Sequence, residues 1–76
     1  MMTTEMKSTL ISRLRDELSD HEMYMMLAEE YENPCRQMLM DIAHEEKIHA
    51  HHLHEILERH DIEIPSDLED KLKNTY

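Results

Sequence analysis

The chain has no glycine, no tryptophan and no phenylalanine, and only one cysteine among its 76 residues. Without glycine there is no phosphate-cradling loop, no dinucleotide-binding fingerprint, and little access to tight turns that need positive φ. A lone cysteine cannot close an internal disulfide, and it fits a reducing compartment. Positive charge is also scarce, with 8 Lys and Arg against 18 Asp and Glu, a net charge of −10. That balance argues against the basic stripe of a nucleic-acid groove, repels anionic membranes and attracts cations. No segment approaches the ~20 apolar residues of a membrane span, and the opening Met1-Met2-Thr3-Thr4-Glu5-Met6-Lys7 has no signal-peptide run. The expectation is a soluble, cytoplasmic protein with neither nucleic-acid nor membrane partners.

What remains is a helical pattern. From Glu5 to Glu32 there is no proline, and Met, Leu, Glu, Arg and Ala dominate. Asn33-Pro34 ends this stretch and opens another, with asparagine as N-cap and proline as first helical residue. The second stretch runs to about His60. Asp61 to Pro65 then reads as extended, because a residue before proline is pushed out of the α region. Ser66-Asp67-Leu68-Glu69 has the capping-box pattern and opens a short third helix. The expected helices span about 5–32, 34–60 and 67–74 of a single domain, 1–76. The short connection predicts an antiparallel helical hairpin. A chain this small buries only ~60% of its unfolded surface and needs a metal or a partner chain as a staple. Two hairpins packed as a C2 four-helix bundle meet that need, with the tail helix (Leu68, Leu72) expected against a neighbouring chain.

The core stripe reads Leu10, Leu14, Glu17, His21, Tyr24, Ala28, Tyr31 on the first helix. On the second it reads Cys35, Leu39, Ile42, Glu46, His49, Leu53, Ile56, His60. Ile11, Leu18, Met25, Met38, Ala43, Ala50 and Leu57 widen the two faces. The stripe is apolar at its ends and polar in its middle, where Glu17, His21, Glu46 and His49 stand in place of leucine. Buried carboxylates need a compensating charge or a proton. A divalent cation supplies the charge, and an oxygen and imidazole donor set suits iron, manganese or zinc. Glu46-Lys47-Ile48-His49 is a Glu-x-x-His motif with both side chains on one helix face, and an antiparallel hairpin sets Glu17 opposite it. The competing structural explanation is a buried polar network that fixes dimer register.

Glu17 seven residues before Tyr24, followed by Ala43-His44-Glu45-Glu46-Lys47-Ile48-His49-Ala50, resembles the ferritin-like di-iron superfamily. The resemblance is closest to encapsulated ferritins, which are rubrerythrin-like two-helix chains, and it covers about Arg15 to Asp61. It implies a ferritin-like four-helix bundle with Glu17, Glu46 and His49 as iron ligands. Each chain would hold half of a di-iron site, completed by its homodimer partner to four carboxylates and two imidazoles. It further implies ferroxidase activity, Fe(II) to Fe(III), for iron storage or detoxification. A ring of dimers and an encapsulin shell as partner and compartment are part of the same implication. Met23 stands where the family often has tryptophan just before the tyrosine, and the given sequence ends at Lys73-Asn74-Thr75-Tyr76 without the family's usual shell-targeting peptide.

Three other readings compete with the ferroxidase: a metal-stapled helical dimer for structure or metal buffering, a rubrerythrin-like peroxidase, and an apolar-faced adaptor dimer without metal. His21 is expected as a supporting or half-exposed histidine rather than a ligand. Tyr24 is either a packed aromatic or a hydrogen-bond donor to a ligating carboxylate. Asp20 is a candidate to orient His49 through its second ring nitrogen. His44, His51, His52, His54 and His60 read as a solvated face, the sharper alternative being an auxiliary metal-uptake site with Glu45 or Glu55. The 8 methionines read as flexible core filler rather than a copper site.

Overall fold

The computed structural model describes residues 2–74; Met1, Thr75 and Tyr76, which the expected domain 1–76 also spans, lie outside the described residues. Three helices follow in order: α1 (Thr4–Ala28), α2 (Cys35–Arg59) and α3 (Ser66–Lys73). Among the described residues there is no strand, and no helix is long and apolar enough to cross a membrane. The helix count and order match the sequence pattern. α1 stops at Ala28 rather than near Glu32, however, because Glu29 to Asn33 form a turn instead of a last helical turn.

Thr3 caps α1 by accepting a hydrogen bond from the Met6 amide at 3.1 Å. At the α1–α2 junction the Asn33–Pro34 peptide is cis, and Pro34 occupies the N-cap position. Asn33 still supplies the expected side-chain acceptor, taking the Gln37 amide at 3.1 Å. Arg36 reaches back to the Ala28 carbonyl with its Nε at 3.1 Å and so closes the turn. The capping box expected at Ser66 is not formed. Pro65 is the N-cap, Ser66 is already helical, and the Pro65 carbonyl accepts the Leu68 and Glu69 amides.

α1 and α2 run antiparallel, since Ala28 meets Arg36 while His21 meets Ala43. Their shared seam buries Leu14, Leu18, Ala43, Ala50 and Leu57, with Ala28 near the turn. α3 folds back along the hairpin. Its Leu68 and Leu72 enter the same cluster as Leu14, Leu18 and Leu57. This corrects the expectation that the tail helix docks on a neighbouring chain; the hairpin's own leucines at α1 14 and 18 and α2 57 leave a groove that two leucines fill. Polar contacts fix α3 in place: Arg15 to Asp67 at 2.8 Å, Lys71 to Glu22 at 3.2 Å, and His54 to Glu69 at 3.0 Å. The Arg15 guanidinium holds the Asp67 carboxyl below its ordinary value.

α3 covers one face of the hairpin, through Arg15 and Glu22 of α1 and Lys47 and His54 of α2. On α2, Met38, Ile42, His49 and Ile56 lie roughly 150° around the helix from Lys47 and His54. They face the opposite side, and all four are exposed. The burial within one chain is therefore rotated from the stripe read in the sequence. Cys35, Ile42, His49, Ile56 and His60 were expected inside and are exposed, as is Tyr31 in the turn after α1. Ala43, Lys47, Ala50 and Leu57 form the buried edge instead. One chain uses only half of the stripe, and the other half remains an open, partly apolar face.

Candidate metal centre

Glu17, Glu46 and His49 meet on that open side. Each offers one ligating atom, and these atoms all lie within 4.8 Å of one another. Helix geometry makes this possible: Glu46 and His49 are one turn apart on α2, and the antiparallel crossing sets Glu17 of α1 at their level. His49 Nδ1 is 3.5 Å from Glu17 Oε2 and 3.8 Å from Glu46 Oε1. Burial grades outward across the group, the side chains being 8%, 20% and 55% exposed for Glu17, Glu46 and His49. The group is anchored in the hairpin and opens toward the uncovered face.

The two Glu17 oxygens have different surroundings. Oε1 accepts a hydrogen bond from the Arg13 guanidinium, one turn earlier on α1. Oε2 is buried and accepts no hydrogen bond. An ionised oxygen without a donor is costly in such a place. Glu17 also raises the Glu46 carboxyl above its ordinary value, chiefly through their mutual contact, with burial and the Asp20 charge adding and His49 opposing. A proton held between the carboxyls would relieve Oε2; so would a cation. Two carboxylates and an imidazole at this spacing are the donor set of a divalent first-row metal, so the residues fit such an ion.

The structure brings together all three residues proposed as ligands. His21, the fourth polar member of the stripe, is elsewhere employed: it is buried, and its Nδ1 donates to the Ala43 carbonyl at 2.6 Å, tying α1 to α2. Asp20 makes no hydrogen bond to His49 among the described residues; it acts on Glu46 through its charge. Tyr24 is half-buried on α1.

The remaining histidines separate. His54 bridges Glu58 at 2.9 Å and Glu69 at 3.0 Å, a structural pin between α2 and α3. His44 and His51 line a cleft of about 410 Å³ with His21, Met25, Met40 and Lys47. None of Glu17, Glu46 and His49 lines that cleft. Burial, followed by the charges of Lys47, His54 and His52, pushes the His51 imidazole down. His52 and His60 are exposed. None of these five joins the Glu17 group.

Two features around the motif were not anticipated. Arg13 pairs with a candidate ligand, a contact foreshadowed by its i, i+4 spacing from Glu17. Lys47, between the two motif residues, is buried rather than solvated. No known protein family, curated protein or solved structure matches the chain.

Proposed function

We propose that the chain is half of a di-iron ferroxidase, completed by a second copy across the open face. The observation that carries this reading is Glu17 Oε2, a buried oxygen without a donor, set between Glu46 and His49 where a cation would satisfy all three. One chain supplies two carboxylates and one imidazole. A two-fold copy would double this to four and two, a set able to hold two metal ions. The apolar residues beside the group, Ile42 and Ile56 with Met38, form the surface that such a copy would cover.

Fe(II) is the substrate in this scheme. Glu17 and Glu46 bind it through hard oxygens, which favour Fe(III) over Fe(II) and make oxidation downhill in the site. An arriving cation favours the ionised form of Glu46, against the hydrogen bond with Glu17, the burial and the neighbouring negative charges that raise its carboxyl. His49, half-exposed on the solvent side, completes the donor set. Two Fe(II) held by the paired sites each lose one electron; one O₂ takes both with two protons and leaves as hydrogen peroxide. Chemically, the likeness of Glu17 and Glu46-Lys47-Ile48-His49 to encapsulated ferritins supports the same assignment.

The test is an anaerobic Fe(II) titration followed by absorbance and sedimentation, then exposure to air. The expected result is saturation near one iron per chain, association on metal binding, and a rapid rise in near-ultraviolet Fe(III) absorption. Tight binding with oxidation no faster than buffer would instead identify a structural or buffering metal module. Absence of binding would leave the polar stripe as a register device.

A further inference from the structure

If the Glu17–Glu46–His49 group takes a divalent cation, as proposed above, the cation must share Glu17 with a positive charge already there. Arg13 rises from one turn before Glu17 and bonds its Oε1, while its other terminal nitrogen is 3.6 Å from Asp16. The guanidinium is half-exposed, so it can swing into solvent without unmaking the helix or the core. Glu17 itself is buried and cannot follow it. The carboxylate thus presents one oxygen to a fixed-charge partner outside and one unpartnered oxygen to the centre inside.

We propose that Arg13 is a stand-in cation that sets the affinity of the centre. Without metal, it supplies the counter-charge that two adjacent carboxylates lack. With metal, guanidinium and metal compete for the electron density of one carboxylate, and Glu17 is restricted to a single ligating oxygen for as long as Arg13 stays. Bound metal is thereby weakened, and the return of Arg13 to Glu17 favours its departure. A site that permanently stores its metal gains nothing from such a competitor, whereas a site that oxidises iron and passes it on needs one. The guanidinium cannot be switched off by deprotonation, so the competition persists across the working pH range. Because the pair is half-exposed, it is screened by salt, and the competition weakens as ionic strength rises.

The experiment uses Co(II) as the probe, with its visible absorption reporting binding to the purified full chain at low and high salt. Arg13→Gln is expected to tighten Co(II) binding by roughly two- to fivefold at low salt, with the difference from wild type shrinking at high salt. Arg13→Lys, which keeps a charge in reach of Glu17, is expected to stay near wild type. Circular dichroism of the metal-free variants checks that both remain helical. Equal or weaker binding by Arg13→Gln, with wild type binding normally, overturns the role of Arg13 and leaves the metal centre standing. Absence of binding by wild type and variant alike overturns both.

Discussion

The ammonium of Lys47 is buried against α3 and donates to the Lys71 carbonyl at 2.8 Å. The bond satisfies a carbonyl in the last turn of α3, where helices lack internal donors. It also sets the second residue of the Glu46–His49 motif to work on the face opposite the candidate centre. Burial lowers the Lys47 pKa from 10.5, against the pull of Glu22. The unfolded chain therefore holds the proton more firmly, and native stability rises with pH between the lowered value and 10.5. Lys47→Met keeps the volume but strips the carbonyl of its donor. It should cost about 1 kcal/mol at pH 7, and chemical denaturation should show the gap to wild type widening toward pH 10.

Leu68 is completely buried in the cluster of Leu14, Leu18 and Leu57. Leu68→Ala should cost ~2–5 kcal/mol, a large share of what a domain this small possesses. The loss should be the same at all protein concentrations, because α3 packs on its own hairpin. A loss that appeared only as weakened self-association would place α3 on a neighbour instead.

The hairpin was legible because Asn33-Pro34 interrupts two long proline-free runs, and the meeting of Glu17, Glu46 and His49 was legible because polar residues at the same level break both apolar stripes. The rotation of the core was not. A stripe wide enough for a four-helix bundle carries no mark telling which half one chain uses; Ala43 and Ala50 form the close helix contact, while the larger Ile42 and Ile56 are left outside. Lys47 was hidden for a related reason. Lysine is ordinarily solvated, and only the return of α3, with a free carbonyl at Lys71, makes a buried position tolerable.

The absence of glycine has a local consequence after α2. Asp61 has φ of 54°, and the Asp61 and Ile62 amides bond the Glu58 and Leu57 carbonyls, a Schellman closure completed by Ile62 packing on the core. Aspartate tolerates this left-handed conformation better than most residues but not as freely as glycine. Asp61→Gly should stabilise the fold by ~0.5–1 kcal/mol, the easier turn outweighing the extra freedom of the unfolded chain. Thermal melts should rise by a few degrees, on the order of 4–8 °C per kcal/mol at this size.

Glu46 links metal binding to pH. Its native pKa is raised above 4.5 by Glu17 first, then by burial and Asp20. The metal-free fold thus binds more protons than the unfolded chain in the window above 4.5. The stabilisation is present below 4.5 and is lost as pH rises through the raised native value. Glu46→Gln removes the repulsion and should melt higher than wild type at pH 7 without metal, while losing the wild-type rise in melting temperature on adding Fe(II) under nitrogen. It should also lose iron oxidation in air. Retention of wild-type oxidation by this variant would exclude Glu46 as a ligand.

The open face gives the last prediction. Ile56 is 40% exposed on α2, in line with His49 and Ile42 and away from α3. In an isolated chain, Ile56→Lys disturbs little and should change stability by no more than ~0.5 kcal/mol. If a second copy covers this face, the substitution puts an ammonium into an apolar seam and a like charge beside the two-fold related metal sites. Both oppose association. Sedimentation with Fe(II) under nitrogen should then show wild type associating and Ile56→Lys remaining a single chain. Glu55→Gln, which makes the same charge change on the outer side of α2, controls for net charge and should associate like wild type. Association of Ile56→Lys equal to that of Glu55→Gln would mean that this face is not the interface, and the centre would have to find its second set of ligands elsewhere.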